Sequence, residues 1–187
     1  GQTQSASHMA GMINQACDDL YLQEPGDDTT IAVARIIEEK VVNIMTGPPE
    51  NKADDSRMVR DFIRQEGIKI VSGGITSQIV ARELREDLVM SVDNLDPVIP
   101  PTSKIRGIDL VTEGVITLNH VIELLQQYTQ DDVSLDLFDE LAKENGASKI
   151  ANYLIDECTT VNLFVGKAVN ANYSQKNLPF EITARKN

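Results

Sequence analysis

The sequence predicts an α/β fold: a mostly parallel sheet flanked by helices, preceded by a separate helix-and-strand segment. Three observations predict it. From Val41 onward, short apolar runs alternate with stretches of helical period. The strand-like runs end in glycine, at Gly47, Gly73-Gly74, Gly114 and Gly166. Hydrophobic residues make up 41% of the chain and aromatics only 4%, enough for a real core built of Val, Ile, Leu and Ala.

The elements run in order along the chain. Ala10 to Leu22 reads as a helix with Met12, Ile13, Ala16, Cys17 and Leu20 on one stripe, broken by "EPGDD". Thr29 to Ile37 alternates as a strand, and Glu38 to Lys40 is the seam between this segment and the main α/β unit. Val41 to Met45 is a second strand, ended by "TGPPEN". A helix starts at Asp55 or Ser56, carries Met58, Val59, Phe62 and Ile63 inward, and stops at Gly67. Ile68 to Val71 is a strand leading through Gly73-Gly74 into a helix over Thr76 to Arg85. Leu88 to Val92 reads as a short strand, and Asp93 to Gly107 as a long loop whose three prolines forbid a helix. Ile108 to Val111 is a strand stopped at "TEG". Helices are predicted over Leu118 to Tyr128, over Val133 to Lys143 with Gly146 as its stop, and over Ser148 to Glu157. Thr160 to Val165 is a strand, and Phe180 to Ala184 a last edge strand. No internal repeat stands out.

Bulk properties exclude several functions. A net charge of -12 argues against nucleic acid, which needs clustered Lys and Arg, and against an anionic membrane surface. No apolar run approaches the ~20 residues of a spanning helix. Cys17 and Cys158 form no metal or redox motif, so a cytoplasmic, reduced protein is expected. Gly1 to Met9 reads as a vector-derived remnant, which leaves His120 as the one native histidine. One imidazole is too few for a His/Cys zinc site, and it would have to carry a Ser-His-Asp triad alone.

Two stretches carry chemistry. In "PGDDTTIAVARI", Asp27 and Asp28 stand at a strand mouth, where carboxylates can hold Mg²⁺ or Mn²⁺. By composition alone, a solvated loop is the commoner use of such a pair. In "VSGGITSQIVARELREDL", a strand turns through Gly73-Gly74 directly into a helix, so backbone N–H groups and about half a positive charge face outward. Thr76 and Ser77 can cap that helix or touch an anion. Gly47, Asp109, Glu113 and Asn170 flank the other strand ends, where ligands of open parallel sheets bind. The candidate ligand-binding set is therefore Gly47, Gly73, Gly74, Thr76, Ser77, Asp109, Glu113 and Asn170. There is no complete nucleotide fingerprint.

Beyond these patterns, "LYLQEPGDDTTIAVARI" resembles the last metal-binding motif of metal-dependent serine/threonine phosphatases of the stage II sporulation protein E family. The stretches "MTGPP", "VSGGITSQIVARELRED", "PPTSKIRGIDLVTEGVITL" and "VGKAVNANYSQKNLPFEI" are similar to the C-terminal extension of an anaerobe subgroup of those enzymes. The resemblance implies that Asp27 is a Mn²⁺ or Mg²⁺ ligand, with Asp28 in the second position and Thr30 as the small hydroxyl residue. It also implies a domain plan: residues 10–38 as the tail of a phosphatase domain and 39–187 as an α/β extension. The family's earlier aspartate motifs are absent, so a fragment that does not catalyse is expected, with metal bound only in the intact parent. The expected function is the regulatory, ligand-sensing region of such a phosphatase. Its partners would be the parent's phosphoprotein substrate, a small anionic molecule and a second copy of the chain. Two other readings stay open: an independent small-molecule or nucleotide-binding module, and an interaction module that tethers the phosphatase to a basic partner patch.

Overall fold

A computed structural model of the chain describes residues 6–22, 24, 28–34, 36, 38–91, 96–130 and 135–168. It divides into two compact units, Gly1–Glu38 and Glu39–Asn187.

Among its described residues the first unit holds one helix, α1 (Ala6–Leu20). It begins four residues before the predicted start, inside the segment read as a remnant. Its exposed side pairs Asn14 with Asp18 and Gln15 with Asp19, one helical turn apart. The strand predicted over Thr29 to Ile37 is not formed by its described residues, 29–34 and 36. A strand needs a ladder partner, and among the described residues this unit contains none. Ile36, within that stretch, is fully exposed.

The second unit is the predicted α/β sandwich, with a mostly parallel sheet flanked by helices. Its strands are β1 (Val41–Thr46), β2 (Ile68–Ser72), β3 (Val89–Met90), β4 (Ser103–Lys104), β5 (Leu110–Thr112) and β6 (Thr160–Val165), in the order β3-β4-β5-β2-β1-β6. The four longest are mutually parallel, with Ile44 opposite Ile70 and Leu163, and Ile70 opposite Leu110. The short β3–β4 hairpin adds an antiparallel margin.

Strand side chains alternate between two helical layers. Met45, Val71 and Val111 pack with Val59, Phe62 and Val80 of α2 (Asp55–Ile63) and α3 (Gly74–Leu84). Ile44, Ile70 and Leu110 pack with Val121 and Ile150 of α4 (Val115–Tyr128) and α6 (Gly146–Asn152). A third helix, α5 (Leu135–Leu141), adds Leu137 and Leu141 against Leu124 and Ala151. After α6 one π-helical turn, Tyr153–Glu157, leads to β6. Among the described residues no helix is long and apolar enough to cross a membrane.

Two local readings are corrected. Ser103 and Lys104, placed in a loop, form β4 between β3 and β5. Gly146, read as a helix stop, is the first residue of α6. A Cβ there would lie 2.8 Å from Thr112 Cγ2, so glycine lets α6 approach β5.

One carboxylate secures the proline-rich connection. Asp96 Oδ1 accepts from the Val98 and Ile99 amides at 2.8 and 2.9 Å, and Oδ2 accepts from Asn145 Nδ2 at 2.8 Å. Asn145 in turn caps α6, its Oδ1 accepting from the Ser148 amide at 2.9 Å. The hydrogen bond from Ile99 leads those that hold the Asp96 carboxyl below its ordinary range, against the opposing effect of burial. A lowered carboxyl contributes stability that is present above the unfolded value near ~4 and lost as pH falls through the lower folded value. Asp96→Ala is therefore expected to cost about 1–3 kcal/mol at pH 7, and less at pH 3. Urea unfolding at both pH values measures this, and equal losses would contradict the assignment to the charge.

Candidate functional site

The parallel pairing brings the carboxyl ends of β1, β2, β5 and β6 to one edge of the sheet. Two neighbouring turns on that edge form the candidate site. β2 runs through Gly73 into α3, and β5 runs through Glu113-Gly114 into α4. Ser72 and Thr112 lie opposite each other at the strand ends.

Short polar links join the turns. The Gly73 N–H donates to Thr112 O at 2.9 Å, Ser72 Oγ donates to Glu113 O at 2.9 Å, and Thr112 Oγ1 donates to Ser72 Oγ at 3.1 Å. A Cβ on Gly114 would come within 3.3 Å of Gly73 Cα, so the chains pass at contact distance. Gly73 has φ 124° and ψ 130°, a region side chains rarely reach.

Both helices are capped by glycine, with no side-chain cap hydrogen bond. Their first-turn amides, Gly74 to Thr76 and Val115 to Thr117, lack partners within their helices. Gly74, Ile75 and Glu113 are exposed, whereas Thr76, Ser77 and Thr117 are buried. Glu113 Oε2 accepts from the Gly114 amide, and its Oε1 lies 3.6 Å from where a Cβ of Gly74 would stand. A carboxylate thus already rests across the two turns. The arrangement can hold an anion: two helix ends meet, each carrying about half a positive charge.

Of the predicted residues, the structure brings together Gly73, Gly74, Thr76, Ser77 and Glu113. Their roles differ from those expected. Gly73 is the N-cap, so Thr76 is the third residue of the helix and not its cap. The Ser77 hydroxyl donates to Gly73 O at 2.8 Å, as does the Ser77 amide, so Ser77 closes the turn. Asp109 is separated from the group. It sits where β5 begins, accepting from the Lys69 amide at 2.7 Å on the opposite edge of the sheet. Parallel strand direction decides this, because a residue at the start of β5 lies opposite the carboxyl ends that carry the turns.

Gly47 lies on the correct edge, but a Cβ there would stand 2.8 Å from Gly166 O. Gly166 donates to Thr46 O at 2.9 Å and Ala168 to Pro48 O at 3.0 Å. The chain reverses direction across the sheet between β1 and β6, the usual place for a ligand crevice, and here backbone fills it. Beside it runs a groove of about 470 Å³ walled by Pro48, Pro49, Ile75 and Ile79, with Gln78 and Arg82. Arg82 Nη2 donates to the nearly buried Asp55 at 2.6 Å and to Glu83 at 2.8 Å. The bond to Asp55 and then that to Glu83 raise the guanidinium pKa. Ser56 and then Arg82 lower that of Glu83.

Asp27 and Asn170 lie outside the described residues. Asp28 is described, but among the described residues no group of three or more His, Cys, Asp or Glu could hold a metal ion. Sequence reasoning misses Thr117, Val115 and the Ser72–Thr112 link. A signal for them exists, because Gly73-Gly74-Ile75-Thr76 and Gly114-Val115-Ile116-Thr117 share the pattern Gly-x-Ile-Thr. Compared with protein-family models, curated proteins and solved structures, the chain matches none.

Proposed function

We propose that residues 39–187 bind a small polar or anionic ligand at the paired β2–α3 and β5–α4 turns. We read them as the ligand-sensing regulatory region of a stage II sporulation protein E type phosphatase. The observation that supports ligand binding is the meeting of two glycine-capped helix ends, with Gly74 and Ile75 exposed. Support for the phosphatase context comes from the motif resemblance around Asp27 and in the four extension stretches. In that reading Asp27 and Asp28 belong to a Mn²⁺ or Mg²⁺ centre completed elsewhere in the parent, and this chain alone does not hydrolyse phosphoprotein.

A thermal-shift panel of phosphates, carboxylates and nucleotides tests the ligand. A compound at 100-fold over its Kd stabilises by about 2.7 kcal/mol. For a domain of this size that raises Tm by about 5–10 °C. A hit that also changes the parent's phosphatase rate would complete the assignment. Absence of any shift would favour the interaction-module reading, for which the net charge of -12 suits a basic partner.

A further inference from the structure

We infer that the two Gly-x-Ile-Thr turns form one seat for a phosphoryl group, and that Glu113 is its tethered competitor. This rests on the ligand-binding reading above and names the ligand class: a small phosphate monoester.

The repetition extends into the strands. Ile70-Val71-Ser72 and Leu110-Val111-Thr112 pair in register, and each leads into Gly-x-Ile-Thr, the second after one extra residue, Glu113. Because Gly73 and Gly114 touch, both helix starts open at one place. The threonines supply an observation independent of the helix ends. Thr76 is only 1% exposed, and its hydroxyl lies 3.1 Å from the Cβ position of the N-cap Gly73. In a capping box the side chain at this helix position, a Glu or Gln, reaches back to the N-cap amide, but here the Gly73 N–H is committed to Thr112 O. The Thr76 hydroxyl makes no hydrogen bond among the described residues. Thr117, its counterpart in α4, is fully buried and its Oγ1 has no partner among the described residues. A fully buried hydroxyl is rarely left so, and Thr117 marks a polar demand at its helix start that is not met among the described residues.

Glu113 indicates the sign of the missing group. Its carboxylate oxygens reach the Gly114 amide and the space above Gly74, so the group nearest the two turns is an oxyanion. A tethered carboxylate acts at roughly millimolar effective concentration, so a single free carboxylate would displace it poorly. A phosphoryl group carries about -1.5 to -2 charge and three acceptor oxygens. Those oxygens can take the Gly74 and Ile75 amides, the Val115 amide and the Thr76 hydroxyl together. Ile75 also walls the adjoining groove with Pro48, Pro49 and Ile79, which gives the ester's organic part an apolar place to lie.

The test is an amide-resolved NMR titration of the full chain with inorganic phosphate and, separately, acetate. Phosphate is expected to move the Gly74, Ile75 and Val115 amides with one common affinity, and acetate to move them more weakly. Glu113→Gln should tighten phosphate about tenfold, and Thr76→Val should weaken it about tenfold without lowering Tm. Shifts at one turn only, or tighter binding of acetate than phosphate, would overturn the shared phosphoryl seat. A panel compound that binds both turns but is lost in Glu113→Gln would overturn the competitor role while leaving ligand sensing intact. No movement of either turn with any compound would overturn both.

Discussion

Replacing Gly166 with alanine is expected to destabilise residues 39–187 by about 3–5 kcal/mol, because backbone already occupies the space a side chain would need. A Cβ at Gly166 would stand 2.2 Å from Pro48 O and 2.3 Å from Gly47 O. Neither oxygen is the end of a flexible side chain that could swing aside. Relief requires parting the loops after β1 and β6, which breaks the Gly166-to-Thr46 and Ala168-to-Pro48 hydrogen bonds. Overpacking ordinarily costs about 1–3 kcal/mol and each lost hydrogen bond about 1 kcal/mol. At this size Tm should drop by about 10 °C, read by thermal or urea unfolding. A drop below ~2 °C would mean that the loops separate at little cost. The variant also bears on function. The Gly73–Gly114 seat lies between other strands, so phosphate shifts at Gly74 should survive at temperatures where the variant remains folded.

Phe62→Ala should have an effect of similar size. Phe62 is fully buried among Val59, Val71, Ile79 and Val80, between α2, α3 and the sheet. Its ring meets Phe164 of β6 edge-on, with centroids 5.4 Å apart and planes at 76°. The chain has only four Phe, four Tyr and no Trp, so one ring is a large share of its aromatic packing. Truncation to alanine typically costs 3–5 kcal/mol, roughly 1 kcal/mol of it from the lost aromatic pair. Phe62→Leu keeps most of the volume and should cost less than about half as much. Equilibrium unfolding of both variants checks the ranking. Equal losses would show that ring geometry, and not volume, dominates at this position.

Glu113→Gln offers a cheaper discrimination than either, because it changes one charge and almost no volume. Its value lies in sign: tighter phosphate binding supports a competitor, weaker binding a ligand contact.

Much of the second unit was legible in order along the chain. Val41–Thr46, Ile68–Ser72 and Thr160–Val165 are apolar runs bounded by glycine or charge, and the helices between them carry their own period. Such signals are local, since they arise from the geometry of one element burying one face. Thr29 to Ile37 shows the converse. It alternates as a strand should, yet forms none among its described residues, because alternation offers a face without supplying a ladder partner.

The sequence by itself determined the α/β class, most helix and strand cores, and the two glycine-marked turns that open the candidate site. Tertiary structure alone decided which turns meet. Gly73 lies against Gly114 and Gly47 against Gly166 because β5 and β6 fall on opposite sides of the β1–β2 pair. That order also committed the Gly73 amide to Thr112, while the parallel direction of β5 put Asp109, at its start, on the far edge. The physical reason is separation: Gly73 and Gly114 are 41 positions apart, and no propensity or period carries information over that distance. Only the pairing of β2 with β5 closes the loop between them, and with it the seat.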